Sequence, residues 1–114
     1  MRWWMIVALV LLAVVVAGCL FGFSGDVDSA RARELVSQGA TLVDVRSPGE
    51  FEGGHIEGAI NVPVGELASK LGQIPKDRAV VVYCASGMRS AKAATALRDA
   101  GYQDVYDLGS MSRW

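Results

Sequence analysis

Ala79-Val80-Val81-Val82-Tyr83-Cys84-Ala85-Ser86-Gly87-Met88-Arg89-Ser90 is the stretch that decides the fold. It opens on a short apolar, β-branched run, which predicts a buried strand of a parallel sheet. The alanine-rich run Ala91 to Ala100 that follows is a strong helix former. It puts Ala93, Leu97 and Ala100 on one face and Lys92, Thr95 and Asp99 on the other. Cys84 therefore sits at the carboxyl end of a strand, and a tight loop leads from it into a helix start. Amide N–H groups at that point have no partner within the helix, and the helix dipole is positive there. Such a cup holds an anion, and a thiolate is one. Gly87 relieves backbone strain where the loop curls, and Arg89 adds a fixed positive charge. The stretch reads as a cradle for a nucleophile, set against the plainer reading of an inert buried thiol. Open α/β sheets place their sites at strand carboxyl ends, and Gly-x-Arg-Ser is an odd exit from a merely structural strand. The cradle requires amides that face inward around a thiol that can be reached.

Upstream of this stretch, Asp28 is placed to cap a helix from about Ser29 to Gln38, with Gly39 in the left-handed position after it. Thr41 to Val45 reads as a first buried strand. Its Asp44 must be hydrogen-bonded or paired, with Arg46 or a loop amide as partner. Ser47 to Gly54 reads as a loop, Ala59 to Val62 as a short strand ended by Pro63, and Gly65 to Leu71 as a short helix. Pro75 and Asp77 turn the chain into the Cys84 strand. Downstream, Gly101 stops the second helix and Val105 to Leu108 forms a final strand. This alternation predicts an α/β fold, a mostly parallel sheet flanked by helices on both faces.

The chain has 114 residues, room for one small domain once a leader is subtracted. All 12 acidic residues and every basic residue except Arg2 lie beyond position 23, leaving that part with a net charge of −2. No basic patch interleaved with aromatics points to nucleic acid, and that partner is set aside. Two cysteines, Cys19 and Cys84, cannot build a disulfide framework, and the single His55 rules out a His-rich metal site. No metal and no cofactor are expected.

Met1-Arg2 is a minimal basic start before an uncharged run of 21 residues, Trp3 to Phe23. Trp3 to Val16 fits the apolar region of a signal peptide, and Ala17-Gly18 supply the small residues at its cut. Val16-Ala17-Gly18-Cys19 resembles the lipobox of bacterial lipoproteins, which implies cleavage before Cys19 and its acylation. The competing reading is an uncleaved transmembrane anchor, for which about 20 residues suffice; the lipoprotein reading is preferred. Both keep Arg2 on the cytoplasmic side and send the folded part outward. Residues 1–25 are thus a signal peptide with lipobox, or a membrane anchor, with a short tether. Residues 26–114 are an extracytoplasmic, membrane-tethered domain in the bacterial periplasm or at the outer surface.

Three separated stretches together resemble the rhodanese domain. They are Leu42-Val43-Asp44-Val45-Arg46-Ser47-Pro48-Gly49-Glu50-Phe51 with Gly54-His55-Ile56-Glu57-Gly58-Ala59-Ile60-Asn61-Val62-Pro63, then Cys84 to Ser90, then Leu108 to Trp114. The resemblance runs from about Asp26 to Trp114. Glu57 stands where that family often has proline, and Ser110 where a second glycine is common. The resemblance implies a rhodanese-like fold and a sulfurtransferase in which Cys84 attacks the outer sulfur of a donor such as thiosulfate. Cys84 then carries a persulfide that a thiol or cyanide removes, a ping-pong cycle through a covalent intermediate. The donors and substrate contacts would come from Ala85, Ser86, Gly87, Met88 and Arg89. Arg89 would hold the anionic donor and help keep Cys84 ionised. The resemblance puts His55 in a structural turn; Asp44, Arg46 and Glu50 read as a buried polar network that fixes the loops. Ser86 and Ser90 can bond a bound sulfur or satisfy the turn. Cys84 to Arg89 spans six residues, the loop size of sulfur-transferring members, one shorter than in related phosphatases and arsenate reductases. Two alternatives stand beside this reading: a non-catalytic binding module on the same fold, and a thiol-based oxyanion reductase or phosphatase.

Overall fold

Strand β3 (Val80–Cys84) is buried along its whole length, because it pairs on both edges and is covered on both faces. It runs parallel to β1 (Thr41–Asp44) on one side and to β4 (Val105–Ser110) on the other. A two-residue strand, β2 (Ile60–Asn61), completes a parallel sheet of four strands in the order β2-β1-β3-β4. The computed structural model describes residues 27–114. The leader, Cys19 and the tether lie outside the described residues.

The period-two alternation of β3 divides the core. Val80, Val82 and Cys84 face one cluster, with Val43, Val45 and Leu67. Helix α3 (Met88–Asp99) closes that cluster with Ala93, Ala94 and Leu97. Val81 and Tyr83 face the other, with Leu42 and Leu108. Helix α1 (Ser29–Ser37) closes this second cluster with Ala32 and Leu35. The parallel sheet with helices on opposite faces is the architecture the alternating pattern predicts. Asp28 caps α1 by accepting from the Arg31 amide at 2.8 Å, and Gly39 takes φ +104° just beyond its end.

Two local readings change. Ser47 to Gly54 is not a plain loop: Pro48–Glu52 forms a short helix, α2. Ser47 and Glu50 bond reciprocally across its first turn, and Pro48 is preorganised at its start, which together outweigh the weak propensity of Gly49. The expected helix from Gly65 to Leu71 is instead 3₁₀ over Val64–Ser69, followed by a second 3₁₀ turn at Leu71–Gln73. Pro63 and Gly65 disfavour a longer α-helical nucleus here, and the Glu66 amide closes a tight turn on the Pro63 carbonyl at 2.9 Å.

Asp44 has no exposed surface, yet its carboxylate is satisfied. It accepts from the Arg46 backbone N–H at 2.9 Å and from the guanidinium Nη2 at 2.7 Å. The same Nη2 donates to the Gly54 carbonyl at 2.7 Å, so one buried ion pair ties the end of β1 to the loop after α2. The Asn61 amide adds bonds to the Asp44 and Arg46 carbonyls at 3.0 and 2.9 Å. Removing one partner leaves a buried charge uncompensated. Asp44→Ala is expected to lower stability by about 3–5 kcal/mol, read as a drop in urea midpoint with an unchanged slope. A loss as small as that of a surface pair, under about 1 kcal/mol, would show that the pair does not hold these loops.

Candidate active site

Cys84 is the last residue of β3, and the chain must reverse within three residues to start α3 at Met88. Gly87 makes this possible. It is the N-cap of α3 and adopts φ +104°, a conformation an L side chain rarely takes. The turn aims the Gly87 N–H back at the strand end, where it donates to the Cys84 Sγ at 2.9 Å. Ser90, fully buried in the first turn of α3, directs its hydroxyl at the Gly87 carbonyl at 3.1 Å and at the Cys84 sulfur.

The thiol pKa reflects a contest. Burial, the largest single influence, pushes it up; the Ser90 hydroxyl and amide and the Gly87 and Ser86 amides pull it down. The donors prevail, and the Cys84 pKa is lowered from the ordinary value of 9.0. Of the amides expected around the sulfur, that of Gly87 donates to it at 2.9 Å. The thiol itself is buried: Cys84 has no exposed surface, whereas Ala85, Ser86 and Met88 of the loop are exposed, Met88 by 81%. The reachable thiol expected from the sequence is therefore not what the structure shows, because the β3 end that carries Cys84 is packed into the core.

Arg89, at the second position of α3, is half-buried and forms a two-pronged pair with Glu50. Its Nη1 and Nη2 donate to Glu50 Oε1 and Oε2 at 2.6 and 3.0 Å. These bonds hold the Glu50 carboxylate down at about 2 and raise the Arg89 pKa, to which the nearby Cys84 also contributes. Glu50 thus stands against Arg89 and is not bonded into the Asp44–Arg46 pair with which it was grouped. The Ser47-Pro48-Gly49-Glu50 spacing was the available signal, since a Ser-x-x-Glu pattern announces a capped helix start.

The His55 Nδ1 lies 2.8 Å from the Phe51 carbonyl and its ring stacks on Phe51 with centroids 3.7 Å apart, so the side chain finishes the turn after α2. Beside the loop, a cleft of about 490 Å³ is lined by Ser86, Gly87 and Met88 from the loop, Ala91 from α3, and Asp107, Gly109, Ser110 and Arg113 from the end of the chain. Three of the last four lie in the Leu108 to Trp114 stretch that carries the family resemblance, but their meeting with the Cys84 loop had no signal in the sequence. They converge because β4 bulges between its pairings with Val82 and Tyr83, and Gly109 takes φ +84°. Among the described residues, no group of three or more His, Cys, Asp or Glu side chains could hold a metal ion, and no helix is long and apolar enough to cross a membrane.

An α/β sheet that presents a hydrogen-bonded, acid-shifted cysteine on a loop between a central strand and a helix defines a cysteine-based group-transfer domain. The rhodanese-like domain model matches residues 28–114, and the chain belongs to that family. It is 43% identical over 74 residues to the thiosulfate sulfurtransferase GlpE of Shewanella oneidensis, covering 64% of this chain and 73% of that one. The human single-domain sulfurtransferase TSTD1 has a similar structure, with TM-score 0.69, 31% identity, and coverage of 79% of this chain and 94% of that one. A third relative, YqhL of Bacillus subtilis, is 45% identical over 76 residues, 66% of this chain, and the match spans only 60% of its length. The relatives it resembles within the family thus include proteins named as sulfurtransferases.

Ser90→Ala removes the hydroxyl donor and leaves burial in place, so the Cys84 pKa is expected to rise. At a fixed pH below that pKa less thiolate then forms. Ultraviolet thiolate absorbance against pH, in a chain carrying Cys19→Ser, reads the midpoint; one that does not move upward would remove Ser90 from the cradle.

Proposed function

We propose that this chain is an extracytoplasmic sulfurtransferase that moves a sulfane sulfur from thiosulfate or a similar donor to a thiol or cyanide through a persulfide on Cys84. The observation that carries this reading is the Gly87 N–H at 2.9 Å from Sγ, the innermost of a set of donors that favours a negatively charged sulfur at the end of β3. The names of the relatives and the family's six-residue loop support it.

In the first half-reaction the Cys84 thiolate attacks the outer sulfur of the donor. A new sulfur–sulfur bond forms, the donor's own sulfur–sulfur bond breaks, and sulfite leaves with its electron pair. In the second, cyanide or a thiolate attacks the outer persulfide sulfur, and Cys84 departs as thiolate with its charge restored. No electron is gained or lost overall. The amides of Ser86, Gly87 and Ser90 and the Ser90 hydroxyl stabilise the Cys84 thiolate as it attacks and again as it departs, which is how a preorganised site lowers a barrier. The apolar leader with Arg2 and the Val16-Ala17-Gly18-Cys19 sequence support tethering of this domain outside the cytoplasmic membrane, with Cys19 as the lipid-bearing residue.

Intact mass spectrometry of the membrane-extracted chain tests both parts. After thiosulfate treatment the mass is expected to rise by one sulfur, about 32 Da, and to fall back on addition of cyanide. Cys84→Ser should abolish the gain, and its persistence in that variant would overturn the assignment. The same spectrum shows whether the chain begins at an acylated Cys19 or at an uncleaved Met1.

A further inference from the structure

We propose that Glu50 is a specificity-determining residue that tunes the Cys84 loop toward singly charged organic sulfane donors and against dianions such as thiosulfate; the proposal rests on the sulfurtransferase reading above. Arg89 is the one basic residue between Cys84 and Ser90, and hence the charge that loop offers an incoming anion. Glu50 meets it with both carboxylate oxygens, at 2.6 and 3.0 Å. The carboxylate is held from its own side as well: Oε1 accepts from the Ser47 amide at 3.3 Å and from the Ser47 hydroxyl at 3.0 Å. Glu50 therefore cannot swing away from Arg89 without also giving up the start of α2. The positive charge beside the nucleophile is accompanied by a fixed negative one.

Charge is balanced on the other flank too, where Asp107 and Arg113 both line the cleft. An anion drawn to Arg89 is repelled by Glu50; both effects double for a dianion, so pairing Arg89 with Glu50 cancels the advantage that a lone cation would give a dianion over a singly charged donor. The cleft of about 490 Å³ adjoins the loop through Ser86, Gly87 and Met88, without Cys84, Arg89 or Glu50 in its lining. Its mixed walls offer an organic substituent of a donor a place beside the loop, which five-atom thiosulfate does not need.

Thiosulfate and methanethiosulfonate form a matched pair of probes, because a methyl group in the second replaces one charged oxygen of the first. With either, Cys84 takes the outer sulfur and the donor's sulfur–sulfur bond breaks, releasing sulfite from one and methanesulfinate from the other. Glu50→Gln removes the charge while keeping a residue suited to this capping position. In the full-length chain, with cyanide as acceptor, this variant is expected to raise kcat/KM for thiosulfate about three- to tenfold through a lower KM. That is the range for removing one charge at the edge of a half-exposed site. The gain for methanethiosulfonate should be smaller, so the thiosulfate-to-methanethiosulfonate ratio rises. Ser47→Ala, which weakens the cap without changing charge, should lower thermal stability and leave the ratio where it was. An unchanged or lower ratio in Glu50→Gln, or an equal rise in Ser47→Ala, overturns the role of Glu50. A wild-type chain that accepts sulfur from neither donor overturns the sulfurtransferase reading itself.

Discussion

The left-handed turn at Gly87 is the constraint on which the site depends. A strand ends with its side chains alternating and its amides committed to neighbouring strands, so a cysteine at that point meets few free donors of its own. A helix beginning three residues later has unpaired amides, but in an ordinary turn they point along the helix axis toward solvent. The φ of +104° at Gly87 folds that helix start back over the strand end, and the free N–H lands on sulfur. A side chain at Gly87 would meet its nearest neighbour, the Gly109 Cα, only at 3.8 Å. Conformation rather than space therefore demands glycine here.

Two acid–base pairs support the site in different ways because they differ in exposure. Asp44 and Arg46 are both buried, where an unmatched charge is costly, so each residue obliges the other to stay. Their work is architectural, joining β1 to the loop that carries His55 and Ile56. Tyr83 belongs to the same construction: its hydroxyl accepts from the Ile56 amide at 3.1 Å, and burial pushes its pKa up to about 12. Glu50 and Arg89 are each about a third exposed, at 37%. Solvent screens much of their attraction, and such a pair adds little to stability. Its consequence is instead to set the net charge beside the nucleophile, which is a matter of specificity.

The parts of the fold that rest on pattern were legible in the sequence. A β-branched run before an alanine-rich one leaves few options for β3 and α3, and Asp28 and Gly39 bracket α1 by side-chain and backbone preferences that act locally. The Asp44–Arg46 pair was legible for the same reason, since a carboxylate in an apolar strand has to find a cation. Reading failed where two local rules competed. Ser47-Pro48-Gly49-Glu50 contains both turn residues and a capping pattern, and the reciprocal Ser47–Glu50 bonds decided for helix. Reading also stopped where function comes from residues far apart in the chain. Glu50 and Arg89 are 39 positions apart, and no periodicity within α2 says which cation its carboxylate will meet. The cleft formed by Ser86, Met88, Asp107 and Arg113 needs the bulge in β4, which reflects strand pairing that no single segment encodes.

A covered thiol with a lowered pKa is an unusual combination, because burial by itself stabilises the neutral form. The loop resolves this by turning the Gly87 N–H and the start of α3 onto the sulfur, so that protein donors solvate the anion. Ser90 is itself buried in the first turn of α3, so the donors are held in place by the same packing that buries the sulfur. The lowered pKa of Cys84 therefore depends on α3 keeping its seat against β3, and any change that loosens that contact weakens the donors and exposes the thiol together.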